Sequence, residues 1–172
     1  IIYIGGLNKN GHQDCEGADR ESYNLSFGQD KLIEELAAIC PRIIVANFGG
    51  TPYAMPWADR VPAILHCWYL GSMAGRSMVD VLSGVVNPSG KLPVTFAREQ
   101  NDYPCFHYGK EGYPGVDHAV HYNEGIYVGY RYFDTKKVPV RFPFGHGLSY
   151  TTFEYGKPVV DGLTVSVPVT NT

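Results

Sequence analysis

Residues 29–48 read Q-D-K-L-I-E-E-L-A-A-I-C-P-R-I-I-V-A-N-F, and this stretch decides the fold class. In its first part Leu32, Ile33, Leu36, Ala37 and Cys40 recur at helical spacing while Asp30, Lys31, Glu34 and Glu35 face away, which predicts an amphipathic helix over Gln29 to Cys40. The second part, Arg42 to Phe48, is an apolar run without strict alternation, as a strand buried on both faces should be. Working outward, Ile1 to Gly5 and Val61 to Cys67 read as further strands of that kind, and a helical pattern runs from about Ser72 to Ser83. Between Thr51 and Arg60 a short helix is expected, with Pro52 near its first turn. The resulting β-α-β-α-β-α order predicts an α/β sandwich on a mainly parallel sheet with right-handed crossovers.

The bulk composition removes several function classes. The 172 residues suit one domain or one and a part, and 44% hydrophobic content is ample for a core. Net charge is -3 with Lys and Arg scattered, so there is no electrostatic footprint for nucleic acid. No run approaches the roughly 18 apolar residues that span a bilayer, and nothing resembles a signal peptide. The chain begins within a strand, without Met, and ends on Asn171-Thr172 after another apparent strand, which is expected of a piece of something larger. Cys15, Cys40, Cys67 and Cys105 have neither CxxC nor zinc-type spacing and are read as mostly free thiols. Asn24-Leu25-Ser26 is a glycosylation sequon, a triplet that arises often by chance.

Beyond Gly84 the composition shifts. Asn87 to Gly147 carries half of the prolines, many glycines and dense tyrosine, and reads as a long ordered excursion with short strands such as Leu92 to Phe96. Ser149 to Tyr155 and Leu163 to Val169 then alternate β-branched and aromatic residues, which predicts antiparallel strands that form only the opening of a β-sandwich.

The chemistry concentrates in one loop. Leu7 to Phe27 follows the first strand, so it should emerge at the strand's carboxyl end, where open α/β sheets bind ligands. Within it, H-Q-D-C-E-G-A-D-R places His12, Asp14, Glu16, Asp19 and Arg20 within nine positions, and Gly17 allows a sharp turn. Asp14, Glu16 and Asp19 are candidates for acid–base work. His12, Asp14 and Glu16 alternate as metal ligands can, but no second ligand cluster accompanies them, so neither metal nor cofactor is expected. Gly71-Ser72-Met73-Ala74-Gly75 misplaces the serine of a nucleophile elbow, and Gly5-Gly6 lacks the third glycine of a dinucleotide loop.

Four segments together resemble the C-terminal region of glycoside hydrolase family 3, the β-glucosidase and β-xylosidase family. They are G-L-N (6–8) with D-C-E-G-A-D-R (14–20) and L-S-F-G-Q-D-K-L-I (25–33); W-Y-L-G-S-M-A-G-R-S-M-V-D-V-L-S-G-V-V-N-P-S-G-K-L-P-V-T-F (68–96); Y-N-E-G-I-Y-V-G-Y-R-Y-F-D (122–134); and F-P-F-G-H-G-L-S-Y-T-T-F-E-Y (142–155). The resemblance implies that residues 1–96 are the last part of an α/β sandwich domain, 97–148 an irregular linker packed on it, and 149–172 the first strands of a fibronectin type III-like domain. It implies a parent enzyme that hydrolyses terminal β-linked sugars of oligosaccharides or β-glycosides with retention, using an Asp nucleophile on an N-terminal β/α barrel absent from this sequence. A periplasmic or secreted location would fit, and the surface left without the barrel invites self-association.

The same resemblance puts the general acid/base at Glu16, with Asp19 and Arg20 in support; Arg20 is expected either on Asp19 or near Glu16, the latter depressing its pKa. His12 would orient a carboxylate or contact sugar hydroxyls. Glu124, another Glu-Gly pair, is the rival acid, or else an anchor held by Arg131 or a backbone amide. Trp68 and Tyr69, and less so Trp57, would be sugar-stacking platforms or, since Trp68 and Tyr69 directly follow a buried strand, core or domain-interface residues. His146, between glycines, reads as a capping or interface residue. The competing class is a non-catalytic carbohydrate-binding or interaction module.

Overall fold

The computed structural model describes residues 1–11 and 13–172. Strands β1 (Ile2–Gly6), β2 (Ile44–Phe48) and β3 (Ala63–His66) form one parallel sheet in that order, with Tyr3, Val45 and Ile64 in register across it. Helix α1 (Gln29–Ile39) joins β1 to β2. Its Ile33 is fully buried in one cluster with Ile43, Val45, Tyr3 and Ile64, which is the face α1 covers. The α/β class with a parallel sheet is as the sequence predicts. Burial on both faces holds for the central strand β2, where Val45 and Ala46 are wholly enclosed. On the edge strand β1, Ile2 and Ile4 point away from α1 and remain more than half exposed.

The short helix expected over 51–60 is replaced by extended chain with one 3₁₀ turn at Ala58–Arg60. Pro52 and Pro56 push the residues before them out of the helical region. The segment instead buries Tyr53, Ala54, Met55 and Trp57. The Trp57 indole donates to Asp30 at 2.7 Å, and the other Asp30 oxygen accepts the Leu25 amide at 3.1 Å. That ties the start of α1 to the β2–β3 connection, and burial raises the Asp30 pKa above the usual carboxylate value. Helix α2 (Ala74–Leu82) follows a 3₁₀ turn at Gly71–Met73, so the helical pattern begins as a tighter turn.

The excursion holds β4 (Phe96–Ala97), the one-turn helix α3 (Gly109–Gly112), α4 (Tyr130–Lys136) and β5 (Val140–Phe142), with β4 and β5 antiparallel. The strand expected over Leu92 to Phe96 shrinks because Pro93 offers no amide and Leu92 bonds elsewhere, its N–H to His146 O and its carbonyl to Gly145 N–H, both at 2.8 Å. This locks N-P-S-G-K-L-P onto F-G-H-G, and a side chain at Gly147 would collide with the Gly90 carbonyl. His146 stacks on Phe142, consistent with a packing role.

At the C-terminal end β6 (Phe153–Tyr155) pairs with β9 (Val169–Asn171), and β7 (Val159–Asp161) with β8 (Thr164–Ser166), all antiparallel. The expected strand Leu163 to Val169 is thus broken at Val167-Pro168, where Pro168 supplies only its carbonyl, to Gly156 N–H at 2.9 Å. The strand expected from Ser149 starts at Phe153, since Ser149 Oγ and Tyr150 N–H both donate to Asn87 Oδ1.

Candidate active site

Three loops leave the carboxyl ends of β1, β2 and β3 and meet there. Leu7 N–H to Phe48 O at 2.7 Å and Cys67 N–H to Asn47 O at 2.8 Å carry the ladder past the strands. Asp14 then joins all three loops. One of its oxygens accepts Gly50 N–H at 2.6 Å and the Tyr69 hydroxyl at 3.0 Å; the other accepts the Thr51 hydroxyl at 2.5 Å. Burial, followed by the Asp14 acceptor, pushes the Tyr69 hydroxyl up to about 12.

The chain next makes a tight turn. Cys15 and Ala18 form an isolated antiparallel bridge around Glu16-Gly17, with Gly17 in the left-handed region at φ 82°. Beyond the turn, the Tyr113 hydroxyl donates to Asp19 and Arg20 Nη2 donates to the Pro52 carbonyl at 2.6 Å. The Asp19 acceptor, then burial, pushes Tyr113 up to about 12. Tyr23, further along, meets Tyr103 hydroxyl to hydroxyl at 3.1 Å and donates to the Ala97 carbonyl. A cleft of about 410 Å³ opens between these loops and the excursion; Asp14, Asp19, Arg20, Tyr69, Tyr103 and Tyr113 contribute to its wall.

Glu16 stands at the exposed tip beside this cleft, its neighbours Cys15 and Ala18 in the wall, and makes no side-chain hydrogen bond among the described residues. Arg20 takes neither expected position: it forms no ion pair with Asp19 or Glu16 among the described residues and holds the Pro52 carbonyl instead. Trp68 is half-buried, edge-on to His66 at 4.3 Å and to Phe96 at 6.4 Å, and lies outside the cleft wall. Trp57 is fully enclosed. Glu124 also lies apart from the cleft wall; neither Arg131 nor a backbone amide holds its side chain, and its Oε2 is buried without a partner among the described residues. It contributes, after burial, to raising the Cys105 thiol pKa. His12 lies outside the described residues.

Sequence reasoning missed three residues that hold the loop or face the cleft, Thr51, Tyr103 and Tyr113; Tyr69, expected as a stacking platform or a core residue, donates its hydroxyl to Asp14. The available signal was the tyrosine density of the excursion, which reads equally well as core. Beneath the site His66 bonds Tyr53 at 3.1 Å through Nδ1, and burial pulls its pKa down to about 4. The four cysteines are unpaired.

The glycosyl hydrolase family 3 C-terminal domain matches residues 1–130. The chain belongs to this family. The family 3 relatives include Beta-glucosidase BoGH3A of Bacteroides ovatus, 48% identical over all of this chain and 24% of the relative, and a beta-glucosidase of Rhizobium radiobacter, 42% identical over 99% of this chain and 21% of the relative. The chain therefore spans about a quarter of the length of the curated relatives it matches, or less. Among solved structures, DesR, a beta-glucosidase from Streptomyces venezuelae in complex with D-glucose, superposes with a TM-score of 0.92 at 38% identity, covering 99% of this chain and 22% of that one. Beta-glucosidase 3B from Thermotoga neapolitana in complex with alpha-D-glucose gives 0.84 at 36%, over 99% of this chain and 25% of that one.

Proposed function

We propose that this family 3 domain supplies Glu16 as the general acid/base of a retaining β-glucosidase whose Asp nucleophile lies on a β/α barrel elsewhere in the parent chain. The observation that carries the reading is the turn Cys15–Ala18: beside a cleft, on a loop held on both sides, it presents a carboxylate that makes no side-chain hydrogen bond among the described residues. Asp14 and Asp19 already accept hydrogen bonds from protein donors, so of the three carboxylates in the Asp14–Arg20 run only Glu16 makes no side-chain hydrogen bond among the described residues. In the reaction, Glu16 protonates the glycosidic oxygen as the nucleophile attacks the anomeric carbon, and the covalent glycosyl-enzyme forms. The same carboxylate then takes a proton from water that attacks that carbon and releases the sugar. Retention requires the two carboxyls roughly 5 Å apart, and an exposed turn tip is suited to reaching the barrel mouth. The isolated 172-residue chain, lacking the nucleophile, is expected to show no turnover.

The test is nitrophenyl β-glucoside hydrolysis by the full-length enzyme and its Glu16→Ala variant, with and without azide. Slow turnover that azide restores as a β-glucosyl azide supports Glu16, because a small anion then replaces base-activated water. Near wild-type activity without azide ends the assignment and makes Glu124 the next residue to test.

A further inference from the structure

We propose that Asp14 is the positioning residue of the reaction: by bonding Gly50, Thr51 and Tyr69 at once, it fixes the turn that presents Glu16 to the leaving group. This rests on the Glu16 reading. Asp14 lies two residues before Glu16 and immediately before the Cys15–Ala18 bridge, so any movement of its carboxylate is carried into the turn. Its three donors come from both other strand-end loops, two from the β2 exit and one from the β3 exit. Few residues in the loop have such reach, and Asp14 does not double as the acid because both its oxygens are occupied as acceptors.

The β3 exit is itself shaped to meet Asp14. Trp68 adopts φ 51°, a left-handed backbone rare for a bulky residue, while its ring is held edge-on against His66 and Phe96. That bend directs Tyr69 back over Gly50, where a side chain at position 50 would press on the Tyr69 ring. Gly50 thus admits the tyrosine, and the tyrosine completes the set of donors. The expected consequence is specific to acid catalysis, since a displaced acid matters only where the leaving group needs a proton.

The experiment measures kcat/KM of the full-length enzyme on alkyl β-glucoside and on dinitrophenyl β-glucoside, whose leaving group departs without protonation. Asp14→Ala is expected to lose about a hundredfold on the alkyl substrate, the scale of a misplaced catalytic group, and little on the dinitrophenyl one. Tyr69→Phe, which removes one donor of three, is expected to show the same split to a smaller degree, and it carries the test where Asp14→Ala does not fold. Equal losses on both substrates, or none, overturn the proposal, because a merely structural residue lowers all turnover alike. Glu16→Ala is run alongside. A split in Glu16→Ala without one in Asp14→Ala overturns the positioning role alone, whereas no split in Glu16→Ala overturns the acid/base reading itself. Hydrogen exchange of residues 13–20 gives a readout independent of activity: it should speed up in Asp14→Ala and Tyr69→Phe, and unchanged exchange counts against the clamp.

Discussion

The turn Cys15–Ala18 and the hairpin Phe153–Asn171 are both antiparallel surface devices, and they are held in opposite ways. The hairpin relies on its own ladders, and every residue of its four strands is exposed. The turn has only one bridge of its own, yet side chains on either side of it bond the β2 exit, the β3 exit and the excursion. Exposure therefore does not separate the two; attachment does. A surface carboxylate becomes chemically useful when the backbone beneath it cannot wander, and long-range side-chain bonds are how this fold achieves that.

The most damaging way to break the contrast is to remove its foundation. Trp57 is fully buried and its indole satisfies Asp30, so Trp57→Ala should cost about 3–5 kcal/mol, for the cavity and the orphaned carboxylate together. Denaturant unfolding of the full-length enzyme checks this, and a loss below about 1 kcal/mol would show that the β2–β3 connection does not support the site. His66 gives the next effect. Its folded pKa of about 4 lies below the ordinary histidine value, so the unfolded chain binds the extra proton first. Stability is full above about 6.5, falls as the pH drops towards 4, and loses about 3 kcal/mol across that window. His66→Gln should flatten that part of the Tm–pH curve; an unchanged slope would assign it to other groups. Smaller again is Gly17→Val. Nothing crowds the position, so any cost comes from forcing φ 82° on a β-branched residue, about 1–2 kcal/mol, and should appear as slower hydrolysis with the hairpin unaffected.

What was legible in the sequence follows the same division. Periodicity revealed α1 and β2, because Ile33 and Val45 are buried for the local reason that amphipathic and apolar runs are buried. The D-C-E-G-A-D-R run and Gly17 pointed to a sharp turn dense in carboxylates. Arg20 resisted such reading. Its partner, the Pro52 carbonyl, is 32 positions away and is a backbone group, invisible to any pairing of charges along the chain. The hydroxyl roles of Tyr69 and Tyr113 escaped for a related reason: nothing in a sequence separates a tyrosine with a working hydroxyl from one that only packs until the fold brings its acceptor near. Pro52, Pro56, Pro93 and Pro168 each shortened or removed an expected element, a local effect that the hydrophobic pattern outweighed in the reading of the sequence.

The weakest effect tests the other side of the contrast. Val160 and Val165 face each other across the β7–β8 ladder, and both are largely exposed. Thr at position 160 keeps the β-branch and the strand preference while removing only apolar surface that water already reaches. Val160→Thr should therefore change the stability of the enzyme by no more than about 0.5 kcal/mol, the range of ordinary surface substitutions, and leave glucoside hydrolysis and exchange of residues 13–20 as they were. A Tm drop as large as that of Gly17→Val would mean that the hairpin is covered in the full-length enzyme. The hairpin would then be held by neighbours in the way the turn is, and the difference between the two regions would belong to this segment alone rather than to the whole protein.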